Sequence, residues 1–455
     1  MTERIVFLTG HLAEVPLRTL LSEMSARSRI HPQVENVGVQ VAALMTPKII
    51  LRRLSRSRVA GASRVIVPGR VRGDMAVLEE HFGTKVERGP DDLYELPQFL
   101  GEQERDKDLS RHDCLIFSEI TQAPFLSVQQ LTEKAQTYIA DGADVIDIGC
   151  LPDTPFPHLE ESIDALHALG IKVSVDSSDD CELARAAAAD ADYLLSVHKG
   201  NMDLLERYPR MTPIVIPHPL KDMDSLYDVI DLCLCAKRPF YADPILDPLH
   251  MGFTESLGRY AALRKRYPTI DIFMGTANVT ELCDSDSAGV VMVLMGMVSE
   301  WRIGAVLTVQ VSPHCRRVIA ETDVARRIFH YAQSKHILAN NIDDRLTSLH
   351  ERRPLWYDKK DIAMMVAKLR ASDKAWRIAI DKEGMLHVFN GTTHVHCSDP
   401  FAMFPQLGLD THGDHAFYMG YELAKAQQAA MLGKRYVQDR DLFWGCAVHK
   451  MTKEE

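Results

Sequence analysis

Between Leu115 and Val309, eight short apolar runs of strand character alternate with eight runs of helical character. Four polar marks stand at strand ends: Asp147-Ile148-Gly149, Ser174-Val175-Asp176-Ser177, Ala242-Asp243-Pro244 and Gly275-Thr276-Ala277-Asn278-Val279-Thr280. A (β/α)8 TIM barrel needs this alternation and builds its active site at the C-terminal ends of its strands. An acidic side chain closing a buried apolar strand has no packing reason to be there. These positions point to an enzyme whose ligand wants carboxylates and an amide.

A chain of 455 residues is longer than one ordinary domain, and a barrel consumes roughly 200–250 of them. The remainder gives about a hundred residues on each side, enough for two small domains. We expect an α/β class protein: an N-terminal α/β domain over 1–105, the barrel over 106–340 and a C-terminal α+β domain over 341–455. The net charge of −11 argues against nonspecific nucleic-acid binding, which needs a basic face, although a local basic patch runs from Lys48 to Arg58.

Nine cysteines are scattered, and the one close pair, Cys233 and Cys235, is too tightly spaced for a zinc knuckle. Most read as buried thiols in a reducing compartment. The opening Met-Thr-Glu-Arg runs straight into a strand and shows no signal peptide, and Ala288–Val298 is too short to span a bilayer. The expectation is a cytoplasmic protein with no membrane partner.

In the first region, strands are expected at Arg4–Thr9, Val37–Val41 and Ser63–Pro68, with Lys85–Glu87 closing the unit. Helices are expected at Leu12–Met24, Pro47–Leu54 and Asp74–Phe82, giving a small open α/β sheet. Thr9-Gly10 before a helix N-terminus reads as a tight turn or as a phosphate contact. The charged stretch Gly101–Asp113 reads as a linker. Barrel strands are placed near 114–119, 144–148, 171–176, 192–197, 213–217, 239–243, 271–275 and 304–309. Beyond the charged run Asp343–Lys360, Trp376–Ile380 and Met385–Phe389 flank Asp381-Lys382-Glu383-Gly384, a hairpin signal. A helix from His415 to Leu432 ends at Gly433.

Taken in order, the barrel ends carry Glu119, Thr121, Asp147, Asp176, His198 (followed by Lys199), His218, Asp243 and Asn278. A pocket with two buried carboxylates and an amide suits a flat heterocycle with an amidine-like edge. A carboxylate accepts two parallel hydrogen bonds from a ring N–H and an exocyclic amine, and Asp176 and Asp243 are the best candidates. Helix capping competes as a role for both, a structural network competes for Asp147, and a turn competes for Asn278. His198, His218 and His250 should share one barrel face. Metal-hydrolase barrels carry His-x-His on their first strand, and Phe117-Ser118-Glu119 offers none, so no catalytic metal is expected there.

The run Asp141-Gly142-Ala143-Asp144-Val145-Ile146-Asp147-Ile148-Gly149 resembles the second-strand signature of the pterin-binding family. That family holds dihydropteroate synthases and the methyltransferases that use methylated tetrahydropterins. Ser174-Val175-Asp176 resembles its third-strand motif and Asp243-Pro244 its sixth, while Ser118-Glu119-Ile120-Thr121 stands where synthases carry Asn-Val-Thr. The resemblance covers roughly residues 113–335 and implies that Asp176 and Asp243 grip the pyrimidine edge of a pterin. With its Thr-Gly-His-Leu-Ala-Glu opening, the whole chain most resembles the dihydropteroate-synthase-related proteins of archaea and methylotrophic bacteria. Those are linked to tetrahydromethanopterin formation.

Departures from the family pattern bear on the substrate. The synthase loop Gly-Glu-Ser-Thr-Arg-Pro-Gly is replaced by Gly149-Cys150-Leu151-Pro152-Asp153-Thr154-Pro155. Ser-Arg-Lys after the seventh strand and Arg-x-His after the eighth are replaced by Ala277-Asn278-Val279 and Gln310-Val311-Ser312. Three contacts to a diphosphate are thus missing, each charged hydrogen bond worth about 1.5–3 kcal/mol. Lys199, Arg316 and Arg317 are the cations available to compensate. Asp243-Pro244-Ile245-Leu246 and Thr276-Ala277-Asn278-Val279-Thr280 look more like the methyltransferase branch, where the Asn lies near the pterin N5. A neutral amide can bond that nitrogen in more than one protonation state, because it donates and accepts.

In the third region, His415-Ala416-Phe417-Tyr418-Met419-Gly420-Tyr421-Glu422-Leu423-Ala424-Lys425-Ala426 and Tyr436-Val437-Gln438-Asp439 resemble the corrinoid-carrying A subunit of tetrahydromethanopterin S-methyltransferase. His394, His396 and His412 are near enough in sequence to suit an axial ligand, a zinc site or solvated histidines of a docking domain. The expected function is a dihydropteroate-synthase-like transferase of one-carbon cofactor biosynthesis, binding a pterin as substrate and capable of forming a homo-oligomer. Methyl transfer between a methyl-tetrahydropterin and a corrinoid is the alternative, and a non-catalytic pterin carrier or scaffold the third.

Overall fold

The runs rich in Val, Ile and Phe become strands because both of their faces are covered, a setting that favours β-branched and aromatic residues. A computed structural model describes residues 3–25, 30–91, 93–101, 107–351, 354–409 and 412–448. The chain divides into two compact units, residues 1–111 with 330–342, and residues 112–329 with 343–455. Part of the charged stretch expected as a linker, and the expected domain boundary at 105–106, lie outside the described residues.

The first unit holds a four-stranded parallel sheet of β1 (Glu3–Thr9), β2 (Ile30–Asn36), β3 (Arg64–Val67) and β4 (Lys85–Arg88), in the order β2-β1-β3-β4. The second strand corrects the expectation at Val37–Val41. The strand lies one segment earlier, in Ile30-His31-Pro32-Gln33-Val34-Glu35-Asn36, which pairs along its whole length with β1. Its polar residues and Pro32 are tolerated because it is an edge strand. The apolar segment after it serves as a loop folded over the end of β1, with Val37 N–H donating to Thr9 O and His11 N–H to Val39 O. A Cβ on Gly10 would lie 2.7 Å from Val39 O. The first amides of helix His11–Ser25 thus meet carbonyls of this loop, as a tight turn requires.

The second unit is built on a closed parallel barrel of eight strands. These are β5 (Leu115–Ile120), β6 (Val145–Gly149), β7 (Lys172–Asp176), β8 (Tyr193–Val197), β9 (Thr212–Val215), β10 (Tyr241–Ala242), β11 (Asp271–Gly275) and β12 (Ala305–Val309). Helices alternate with the strands, and β12 pairs with β5 to close the ring. Local signals match: Ser127 and Gln130 form a reciprocal capping box at helix Val128–Ala140, the arrangement that satisfies two orphan amides at once. The large core lies between strands and helices. A second core fills the barrel itself with Phe117, Val145, Tyr193, Leu195, Ile214, Phe273, Ala305 and Leu307. Within it Phe117, Tyr193, Tyr241 and Phe273 form a four-ring aromatic stopper with centroids 4.9–6.3 Å apart. A TIM-barrel interior is packed rather than hollow.

The same unit carries an antiparallel sheet of β13 (Arg377–Ile380), β14 (Leu386–Phe389) and β15 (His394–Cys397). The expected hairpin is present, with Ile380 opposite Leu386, and β15 adds a strand not foreseen. Helix Gly413–Leu432 packs on one face through Met419, Leu423, Ala426 and Ala429. It ends at Gly433 in the left-handed region, φ 65°, where a residue without Cβ carries no steric penalty.

Candidate active site

Period two along a strand places Glu119, Asp147, Asp176, Asp243 and Gly275 two residues beyond Phe117, Val145, Ser174, Tyr241 and Phe273. The carboxylates therefore form the next layer above the aromatic stopper, at the C-terminal rim. Glu119 and Asp147 are register partners on β5 and β6, and Gly149 pairs with Asp176 on β7. A Cβ on Gly149 would stand 2.4 Å from Glu119 Oε1, so the glycine makes room for that carboxylate.

An apolar floor and neighbouring like charges both disfavour ionisation. Burial pushes Asp147 well above the ordinary carboxylate range, Asp176 and Glu119 add to the effect, and only Ser174 opposes it. Asp147 is fully buried, and the Ser174 hydroxyl lies near it without the geometry of a hydrogen bond, so neither carboxylate oxygen is paired among the described residues. Asp176 is pushed up to about 7 by burial and by Glu119. Glu119 is raised by burial and Glu281, with Lys134 pulling the other way. Asp243 reaches about 6 through burial, restrained by bonds from Tyr260 and Ile245 and by Arg259.

Asp243 is the most elaborately held of these groups. Its Oδ1 accepts the Tyr260 hydroxyl at 2.7 Å and the Ile245 amide at 2.8 Å. No bond among the described residues falls on Oδ2. Arg259 donates to the Pro244 and Ile245 carbonyls and to Asp247, at 2.9, 2.6 and 3.0 Å. Ile245 is left-handed at φ 66°, a strained conformation for a β-branched residue. Asn278 lies in the short helix Ala277–Thr280, and its Nδ2 donates to Leu246 O at 2.8 Å. It thereby braces the loop that presents Asp243.

Sequence reasoning missed Tyr260 and Arg259, adjacent on helix Phe253–Arg266. The available signal was an aromatic hydroxyl and a cation inside the helix that follows the Asp243 loop. His198 and His218 come together as stacked rings, centroids 4.3 Å apart at 16°. Burial and His218 lower the His198 pKa, against Asp180, and His198 Nδ1 accepts the Gly200 amide. His250 is exposed and left-handed, φ 66°. Thr121 follows the end of β5 and is partly exposed.

The cations considered for a diphosphate are engaged by protein groups. Lys199 pairs with Asp228 at 2.7 Å, Arg317 holds Asp141 at 2.7 Å and the Cys446 carbonyl at 3.0 Å, and Arg316 reaches the Ala447 carbonyl at 3.4 Å. After β12, the amides of Val311 and Ser312 donate to Glu281 at 2.9 and 3.0 Å. Among the described residues one grouping of three metal-type ligands occurs, His387, His394 and His396. It belongs to the C-terminal sheet and does not include His412. No described helix is long and apolar enough to cross a membrane.

A family model described as a family of unknown function (DUF6513) matches residues 3–91. An uncharacterized protein of Methanocaldococcus jannaschii is 26% identical over 525 aligned positions, covering 97% of this chain and 99% of its own. Among solved structures, a Yersinia pestis DHPS with a pterine-sulfa conjugate is 17% identical, with a TM-score of 0.38, over 50% of this chain and 95% of that one. Thermus thermophilus dihydropteroate synthase in complex with 6HMPPP is 18% identical, with a TM-score of 0.37, over 49% and 95%.

Proposed function

We propose that the chain is a pterin-binding, dihydropteroate-synthase-like transferase. In this reading it acts on a dihydropterin in the biosynthesis of a tetrahydromethanopterin- or folate-type one-carbon cofactor. The observation that carries the reading is Asp243: a buried carboxylate anchored through Oδ1, with no hydrogen bond on Oδ2 among the described residues. Facing an amidine-like edge, such a group replaces water with a charge-assisted pair. Asp176 supplies the second acceptor, Asn278 the amide, and Glu119, Thr121 and Asp147 the rest of the wall. His198, Lys199 and His218 edge the same site. Catalysis then rests on holding two reactants in register, which supplies much of a transferase's rate.

The test is calorimetric titration with dihydropterins, with and without a diphosphate. Asp176→Ala and Asp243→Ala should each cost at least about 2 kcal/mol of affinity, the loss of a charged partner for a buried N–H. Unchanged binding in both folded variants would refute the reading.

A second reading, methyl transfer between a methyl-tetrahydropterin and a corrinoid, is favoured by one observation. Glu281 occupies the Val311 and Ser312 amides, so those donors are not available to a diphosphate. Bound corrinoid is coloured, and our primary reading expects a colourless purified protein. Binding without turnover of any pterin would instead favour a carrier or scaffold. Cytoplasmic location and self-association belong to the same proposal and are checked by fractionation and by sedimentation.

A further inference from the structure

The alternation of β14 and β15 puts three imidazoles on one face of the C-terminal sheet. His387 is the register partner of His396, and Phe389 that of His394. Residues i and i+2 share a face, so His394 and His396 stand together beside His387. One ligand nitrogen from each lies within 4.8 Å of the others.

The pair His387 Nδ1 and His394 Nε2 is 3.0 Å apart. His387 Nε2 lies 3.1 Å from Asp381 Oδ2. Asp381 is 1% exposed and its other oxygen accepts the Glu383 and Met385 amides. A carboxylate so fixed accepts the Nε2 proton, which leaves the lone pair on His387 Nδ1 directed at its neighbours. An outer carboxylate that sets the tautomer and ring orientation is the usual support of a metal-binding histidine.

A tetrahedral zinc ion with bonds of 2.0–2.1 Å separates its ligand nitrogens by about 3.3 Å. The shortest separation already approaches that value. The others, all within 4.8 Å, need the exposed rings of His394 and His396 to close by at most about 1.5 Å to reach that spacing. Buried His387 and Asp381 form the fixed half of the set, and the two exposed rings form the half that can adjust.

We propose that His387, His394 and His396 bind a divalent first-row metal ion, zinc by preference, with Asp381 orienting His387 and one coordination position left to solvent or to a small anionic ligand. Neutral imidazoles select ions of this class over magnesium or calcium, which want oxygen. Three histidines leaving a fourth position open is the ligand count of catalytic rather than structural zinc sites. The site is separate from the barrel carboxylates, and nothing in the pterin reading depends on it.

The experiment uses the full chain, freed of metal by a chelator, titrated with Zn2+ alone, with Co2+ as an optical probe. One ion per chain is expected. The exposed substitutions His394→Ala and His396→Ala should each weaken binding by at least tenfold. Asp381→Asn should weaken it by about 10–100-fold, as loss of an outer partner does. His415→Ala, outside the set, should leave affinity unchanged. Retained affinity in the His394→Ala/His396→Ala double variant would overturn the proposal. A cobalt spectrum showing thiolate charge transfer would also overturn it, because it would assign the ion to cysteines.

Discussion

Tyr260 donates its hydroxyl to Oδ1 of Asp243 at 2.7 Å while its ring stacks on Trp301, centroids 5.9 Å apart at 7°. The helix behind β10 thus fixes a carboxylate that the strand alone would leave to rotate. Tyr260→Phe removes that donor without creating a cavity. The Asp243 pKa should rise above about 6, and pterin affinity near neutral pH should fall by about 1.5–3 kcal/mol. Calorimetry against pH checks it; an unmoved titration midpoint would deny Tyr260 this role.

Pterin affinity should depend on pH in a stated direction. Asp176 and Asp243 ionise at about 7 and about 6, and a ring edge that donates protons needs the ionised forms. Affinity should therefore climb from pH 5 to pH 8, by up to about tenfold per unit for each carboxylate that must ionise. Asp176→Asn should remove the upper part of the climb and Asp243→Asn the lower.

Asp147 costs the protein stability where it is ionised. Its folded pKa is raised, so its favourable contribution is complete below the unfolded value near 4 and is lost as pH rises through the folded one. Asp147→Asn should therefore raise stability at pH 8 by roughly 1–3 kcal/mol, with no gain at pH 4. Denaturant melts at the two pH values decide it, and an equal gain at both would contradict it.

Asn278→Ala should weaken tetrahydropterin binding while the barrel stays folded. The lost bond to the Leu246 carbonyl should cost about 1 kcal/mol of stability. A variant that melts early but binds normally would show that the side chain serves only the loop.

The barrel was legible in the sequence because each strand is a short apolar run ended by a polar mark, and covered strands leave that pattern wherever they occur. Glu119, Asp147, Asp176 and Asp243 were legible for the same reason: acids at the ends of apolar strands. Tyr260 and Arg259 were not, since a helix residue gives no sign of which loop it will reach. β2 was misplaced because an edge strand can be polar, and Pro32 and Glu35 hid it while Val37–Val41 offered a better apolar pattern. The histidine face was half legible. His394-Val395-His396 announces itself, but His387 joins it only through the register of β14 and β15.

The four edge-on and tilted rings of Phe117, Tyr193, Tyr241 and Phe273 make the barrel a cup rather than a tube. Among the described residues these rings close the barrel beneath Asp147 and Asp176, leaving the two carboxylates at the rim side. If a flat molecule sits there as proposed, it closes the cup from above and Asp147 and Asp176 lie between two apolar lids.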